Sequence, residues 1–200
     1  MLLAGEAGVG KSRLVAEVRQ QAALEQWTIL AGHCFERDGV FPYAPLIDAL
    51  RAFVGPQSGA VVADLLGELA AELIKLLPEL SLAIANLRPT PPLDSEAEKR
   101  RLLAVLVQFL VHLTQAPRAR PLLLILEDLQ WCDETSLDFL HLLARRLATF
   151  PILLLATYRS EEVSPSLRQW LVQLERGRLS HEIVVKSLSR QDVHGMLQAI

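Results

Sequence analysis

Apolar positions along this chain change period several times, and each change marks an element. Residues 2–4 form a short apolar run cut by the glycines between Gly5 and Gly10; residues 11–26 then carry Leu14, Val15, Val18 and Ala22 at helical spacing. Strand, loop and helix follow in that order. Residues 27–33 read as a second strand, and Pro42 and Pro45 punctuate the approach to a helix over residues 46–54. Leucine-rich helices are expected over residues 60–77 and 79–87, closed by the loop sequence Arg88-Pro89-Thr90-Pro91-Pro92. Ser95 with Glu98 gives a capping box ahead of Leu102, Val105, Leu106, Phe109 and Leu113 on one helical face.

Residues 122–126 after Pro121, and residues 152–156 after Pro151, are unbroken apolar runs of the kind buried on both sides in a parallel sheet. Between them Asp133 is expected to cap a helix reaching residue 148, with Arg145 and Arg146 placed where cations suit the helix dipole. Ser164 with Pro165 opens a helix to residue 176, residues 182–186 make a last strand, and Ser189 with Asp192 caps a further helix. Strands alternating with helices predict a three-layer α/β fold around a mostly parallel sheet. No internal repeat is visible. The apolar segment 59–87 is interrupted by Asp64, Glu68, Glu72, Lys75 and Glu79 too often for a membrane span, so it reads as buried helices.

Composition narrows the class of function. Two hundred residues suit one domain, and 51% apolar with 22% charged residues excludes a mainly disordered chain. Twenty basic against twenty-three acidic residues give a net charge of −3 without a long run of one sign, so neither a nucleic-acid surface nor a membrane contact is expected. Cys34 and Cys132 lie far apart, without C-x-x-C spacing or clustered histidines, which argues against a zinc site or a disulfide framework. With no signal peptide at Met1, a cytoplasmic location is expected.

The chemistry concentrates at three strand ends. Gly5-Glu6-Ala7-Gly8-Val9-Gly10-Lys11-Ser12 matches G-x-x-x-x-G-K-[ST] between a strand and a helix N-terminus, the context a phosphate cradle needs. Backbone N–H groups of such a loop converge on phosphate oxygens, Lys11 reaches the β- and γ-phosphates, and Ser12 offers its hydroxyl to Mg²⁺. The candidate nucleotide-binding residues are Gly5, Glu6, Ala7, Gly8, Val9, Gly10, Lys11, Ser12 and Arg13. The strand 122–126 delivers Glu127 and Asp128, a Walker B arrangement; by position Glu127 serves the metal and Asp128 the attacking water, and the two roles are interchangeable at this level. Metal candidates are therefore Ser12, Glu127 and Asp128. The third strand ends in Thr157-Tyr158-Arg159, so either Thr157 or Arg159 reaches a γ-phosphate at the same sheet edge.

These residues together resemble a known family. Gly5 to Val15, Pro42-Tyr43-Ala44-Pro45-Leu46, Leu126-Glu127-Asp128-Leu129-Gln130-Trp131 and Ala156-Thr157-Tyr158-Arg159-Ser160 look like the STAND-class, AAA-type (Orc1-like) P-loop ATPase domain of large LuxR-type and MalT-like transcriptional regulators. The resemblance implies sheet order 5-1-4-3-2, a core over 1–187 with a helical insertion at about 43–116, and the start of a helical lid over 188–200. It also implies ATP with Mg²⁺ as cofactor, ATP and ADP as ligands, neighbouring domains of a longer chain as partners, and nucleotide-dependent self-association. The pattern departs at Gln130, where His is common, and at Cys132, where Ala is usual. Trp131 reads as packing, Asp133 as a helix cap, Tyr43 with its prolines as a rigid turn, and Glu36 and Arg37 as facing solvent. Because such proteins are long, the chain is expected to be a fragment. The expected function is an ATP-binding and ATP-hydrolysing regulatory switch. Its rivals are a P-loop kinase acting on a small molecule and an ATP-binding module without turnover.

Overall fold

Five parallel strands carry the architecture: β1 (Leu2–Gly5), β2 (Thr28–His33), β3 (Leu122–Glu127), β4 (Ile152–Arg159) and β5 (Glu182–Val184) lie in the order β2-β3-β4-β1-β5. This is the expected 5-1-4-3-2 order. The computed structural model describes residues 1–36, 41–84, 87–115, 120–189, 192, 194 and 195, so Arg37 lies outside the described residues.

The unbroken apolar run of β3 follows from its place inside the sheet. Leu122, Leu124 and Leu126 enter a large core on one face, while Leu123 and Ile125 join a smaller cluster with Val15 and Ala22 on the other. Helix α1 (Lys11–Leu24) supplies the smaller cluster. The larger core is covered by α2 (Ala44–Val54), α3 (Gly59–Leu66), α4 (Ala70–Leu73), α5 (Leu80–Ala83), α6 (Ser95–Leu113), α7 (Glu134–Ala144) and α8 (Pro165–Arg176). Helices α2 to α6 form the insertion between β2 and β3. Its first helix crosses β2 so closely that a Cβ on Gly32 would sit 2.0 Å from the Pro45 carbonyl oxygen, which only glycine accommodates.

Several boundaries differ from the periodicity, each for a local reason. The helix expected over 60–77 breaks at Gly67, whose φ of 48° opens a 3-10 turn before α4. The segment expected over 79–87 is helical only in α5. Asp94, not Ser95, caps α6 by accepting the Ala97 N–H at 3.0 Å, because Asp94 is the last residue in extended conformation. Glu98 accepts the Leu93 N–H at 3.2 Å, one residue before the cap, and also binds the side chains described below. Helix α1 buries Val15 and Ala22 but leaves Leu14 and Val18 exposed. Strand β4 runs on to Arg159, three residues past the expected end, since β1 pairs with it as far as Gly5 opposite Arg159.

Three caps match their sequence signals. Asp133 accepts the Ser136 N–H at 2.9 Å, Ser164 accepts the Leu167 N–H ahead of Pro165, and Ser189 and Asp192 exchange N–H bonds at 2.9 and 3.2 Å. Among the described residues no helix is long and apolar enough to cross a membrane.

Within the insertion a buried charge cluster ties the short helices together. Glu72 on α4, 2% exposed, accepts Lys75 Nζ at 3.0 Å, pairs with Arg101 Nε at 2.9 Å and accepts the Thr90 hydroxyl. Lys75 and Arg101 both reach Glu98 on α6, and the Lys75 ammonium is the main cause holding the Glu98 carboxyl below its ordinary range. The cluster joins α4, the proline loop and α6, so the loop at Thr90 is a structural tie.

Candidate nucleotide-binding site

Parallel pairing puts four strand ends at one edge of the sheet. Gly5 on β1 stands opposite Arg159 on β4, and His33 on β2 stands opposite Glu127 on β3. In open α/β sheets this carboxyl edge is where ligands bind. The loop from Glu6 to Gly10 turns over it, with Gly8 at φ 75° and Gly10 at φ 108°, conformations a side chain would strain. Such left-handed glycines are what let successive N–H groups of a phosphate loop converge on an anion at a helix N-terminus.

Lys11 is the first residue of α1 and is 7% exposed. Its ammonium donates to the carbonyl oxygens of Gly5 and Glu6, both at 2.8 Å, which keeps it folded over the loop. Ser12 faces the other way and donates its hydroxyl to Glu127 Oε2 at 2.7 Å. The second Glu127 oxygen lies 3.3 Å from His33 Nε2. The phosphate loop and the carboxylate at the tip of β3 are therefore already joined.

A family model described as AAA ATPase domain matches residues 1–155. The chain belongs to the AAA ATPase domain family. It is an ATP-binding AAA-type domain within an ATPase superfamily. A similar protein, an uncharacterized protein of Rhizobium meliloti (strain 1021), is 29% identical over 189 residues, covering 90% of this chain and 18% of the relative. The structure of the Aeropyrum pernix Orc1 protein in complex with DNA is similar at 15% identity and a TM-score of 0.41, covering 99% of this chain and 42% of that one. The chain thus spans under a fifth of the curated relative's length.

The donor set of this AAA domain suits Mg²⁺ with a nucleotide. Among the described residues no group of three or more His, Cys, Asp or Glu side chains is placed to cage an ion unaided. Mg²⁺ rarely asks for such a cage: it takes one or two carboxylates and completes its shell with phosphate oxygens and water. Ser12 and Glu127 at 2.7 Å supply that kind of partial site beside the phosphate loop.

Asp128 follows β3 in left-handed conformation, φ 62° and ψ 46°. That turn points its N–H at Thr157 Oγ1, 3.1 Å away on β4, so Thr157, 1% exposed, is committed to the loop. Gln130 donates to Asp128 Oδ1 at 3.0 Å and accepts the Arg159 N–H at 3.1 Å, clamping the β3 and β4 tips together. The Arg159 guanidinium lies 4.7 Å above the Trp131 ring, with Nε 3.9 Å from Asp128 Oδ1 and Nη1 2.8 Å from Glu162. Trp131 is therefore the platform for Arg159, beyond its packing against the core. In sequence, Gln130 showed only as a departure from the family pattern, and nothing marked it as a clamp.

The cysteines were separated in sequence, yet β2 and β3 are neighbours. Cys34 follows β2 and donates its N–H to Glu127 O at 2.9 Å, while Cys132 follows the 3-10 turn Leu129–Trp131 after β3. Both thiols are free and buried, and the neighbouring Cys34, then burial, pushes the Cys132 thiol well up.

Proposed function

We propose that this domain is an ATP-hydrolysing regulatory switch of a larger signalling or transcriptional regulator of the STAND, LuxR-like kind. The observation that carries the reading is the Ser12–Glu127 hydrogen bond, which links the phosphate loop to the strand end that bears the two carboxylates. In this reading Mg²⁺, when bound, neutralises charge on the β- and γ-phosphate oxygens. Gly5, Glu6, Ala7, Gly8, Val9, Gly10 and Arg13 line the loop and the first turn of α1, and Lys11 turns its ammonium from the loop carbonyls to the phosphates. Ser12 and Glu127 hold the metal. Asp128, kept in place by Gln130 and Thr157, orients the attacking water and takes its proton. Arg159, at the end of β4, reports the state of the terminal phosphate to the turn that follows. A switch of this type works through contacts that differ between ATP and ADP states, so its partners are neighbouring domains of a longer chain or further copies of itself.

The test is Asp128→Asn, with nucleotide affinity and phosphate release measured together. Retained ATP affinity with phosphate release down by at least ~100-fold supports the switch, in line with the usual worth of a positioned base. Release unchanged in this variant overturns the base assignment. Absence of release in the native domain makes it a binding module instead.

A further inference from the structure

The turn after β4 places an acid against the phosphate loop that neither the loop motif nor the Walker B pair accounts for. Glu161 Oε1 accepts the backbone N–H of Ala7 at 2.7 Å, across 154 residues of sequence. The same turn is fastened to the start of the loop by the Ser160 N–H, which donates to Gly5 O. The Ala7 N–H is the leading cause holding the Glu161 carboxyl below its ordinary range, and the Lys11 ammonium contributes in the same direction. A carboxylate here is an anion on a phosphate-loop N–H, within the field of the lysine that serves the outer phosphates.

The position within the loop says which phosphate is affected. Lys11 Nζ lies on the carbonyls of Gly5 and Glu6, immediately before Ala7, so the loop's beginning faces the outermost phosphate. The N–H groups nearer the start of α1 cradle the inner ones. We propose that Glu161 sets the triphosphate-to-diphosphate preference of the site: its carboxylate competes with the γ-phosphate for the Ala7 N–H and repels it, while leaving the α- and β-phosphates alone. Binding of ATP must therefore turn Glu161 away, and ADP need not. Arg159 and Glu162, paired at 2.8 Å in the same turn, move with it. This inference rests on the nucleotide site proposed above.

The experiment is equilibrium binding of ATP and of ADP, each with Mg²⁺, to the native domain, Glu161→Gln, Glu161→Ala and Lys11→Ala. Glu161 is exposed, so its variants keep the fold. Both Glu161 variants are expected to tighten ATP by roughly 5- to 10-fold, the size of a typical coupling between groups, with ADP changed by less than about 2-fold. An ATP-to-ADP ratio that stays at the native value in both variants, while Lys11→Ala loses nucleotide, overturns the inference and leaves the site intact. Nucleotide affinity unchanged in Lys11→Ala overturns the site itself. Equal tightening of ATP and ADP also overturns the inference, since it would show general charge repulsion.

Discussion

Two buried charged side chains, Lys11 at 7% exposure and Glu72 at 2%, are satisfied in opposite ways. Glu72 is enclosed by partners that also bind one another: Lys75, Arg101, Glu98 and Thr90 make a closed set across α4, the proline loop and α6. Among the described residues Lys11 is held by two loop carbonyls at the mouth of the phosphate loop, contacts of a kind that a phosphate can replace. Ala7 donates to the exposed carboxylate of Glu161, and Arg159 leans on an indole and on Glu162. Density of charge therefore does not mark the functional region of this molecule. What marks it is that the charges at the sheet edge have exchangeable partners, while those in the insertion have fixed ones.

The largest expected effect separates these two regions by exchanging their losses. Glu72→Ala leaves Lys75 and Arg101 without their buried partner, and breaking such a pair costs about 3–5 kcal/mol of stability. Lys11→Met removes hydrogen bonds at the mouth of the loop, where water can replace them, and its stability cost is expected to be within about 1.5 kcal/mol. Nucleotide affinity runs the other way. The folded fraction of Glu72→Ala binds ATP as the native domain does, while Lys11→Met weakens ATP by at least ~100-fold, as loss of a charge-assisted contact to phosphate implies. Urea unfolding and ATP titration of both variants measure this. Comparable destabilisation by the two substitutions would remove the distinction between closed and open clusters.

A smaller effect is expected inside the site. Gln130 joins the Asp128 carboxylate to the Arg159 backbone, so in the proposed reading it is a positioning residue. Gln130→Leu is expected to lower the maximal rate of phosphate release by roughly 10-fold, the lower end for groups that orient a reacting side chain. The ATP concentration for half-maximal rate should stay within about 2-fold, because the loop that binds phosphate is not altered. Gln130→His, with one ring nitrogen to donate and one to accept, should recover most of the rate. A fall in affinity equal to the fall in rate, without rescue by His, would make Gln130 a packing residue only.

These tests also show why some of the molecule was legible in sequence and some was not. The strands β3 and β4 announce themselves because burial on both sheet faces gives each an unbroken apolar run, residues 122–126 and 152–156. The phosphate loop is legible because its function needs consecutive backbone groups, so its signature is linear. Gln130, Glu161 and Glu72 are invisible for the opposite reason. Besides near neighbours, each has a partner far along the chain, 29, 154 and 18 residues away, brought close by β-pairing or helix packing that no local pattern encodes. Leucine spacing likewise predicted one long helix through Gly67, where a positive φ and a 3-10 turn divide it. The cysteines illustrate the same limit, since their proximity depends on β2 lying beside β3.

The smallest effect, nil at neutral pH, compares the two regions through their tyrosines. The chain has two, Tyr43 at the start of the insertion and Tyr158 on β4 beneath the site, each 6% exposed. Burial, then the charges of Asp133 and Asp138, pushes the Tyr43 phenol up to about 12. Burial, then the hydrogen bond to Glu182, raises Tyr158 as well. A phenol is neutral when protonated, so a raised pKa in the fold favours the protonated form. Its contribution to stability is complete below the unfolded value of about 10 and is lost as pH rises toward the folded value. Both tyrosines should therefore give no tyrosinate absorbance at pH ~10.5, where a free phenol is more than half ionised, and then appear together with the loss of helical circular dichroism. Tyr158→Phe leaves Tyr43 as the sole source of the signal. Ionisation of Tyr43 near pH ~10 in that variant, with the helices intact, would mean that α2 admits water independently of the sheet, and the insertion would no longer count as the closed region.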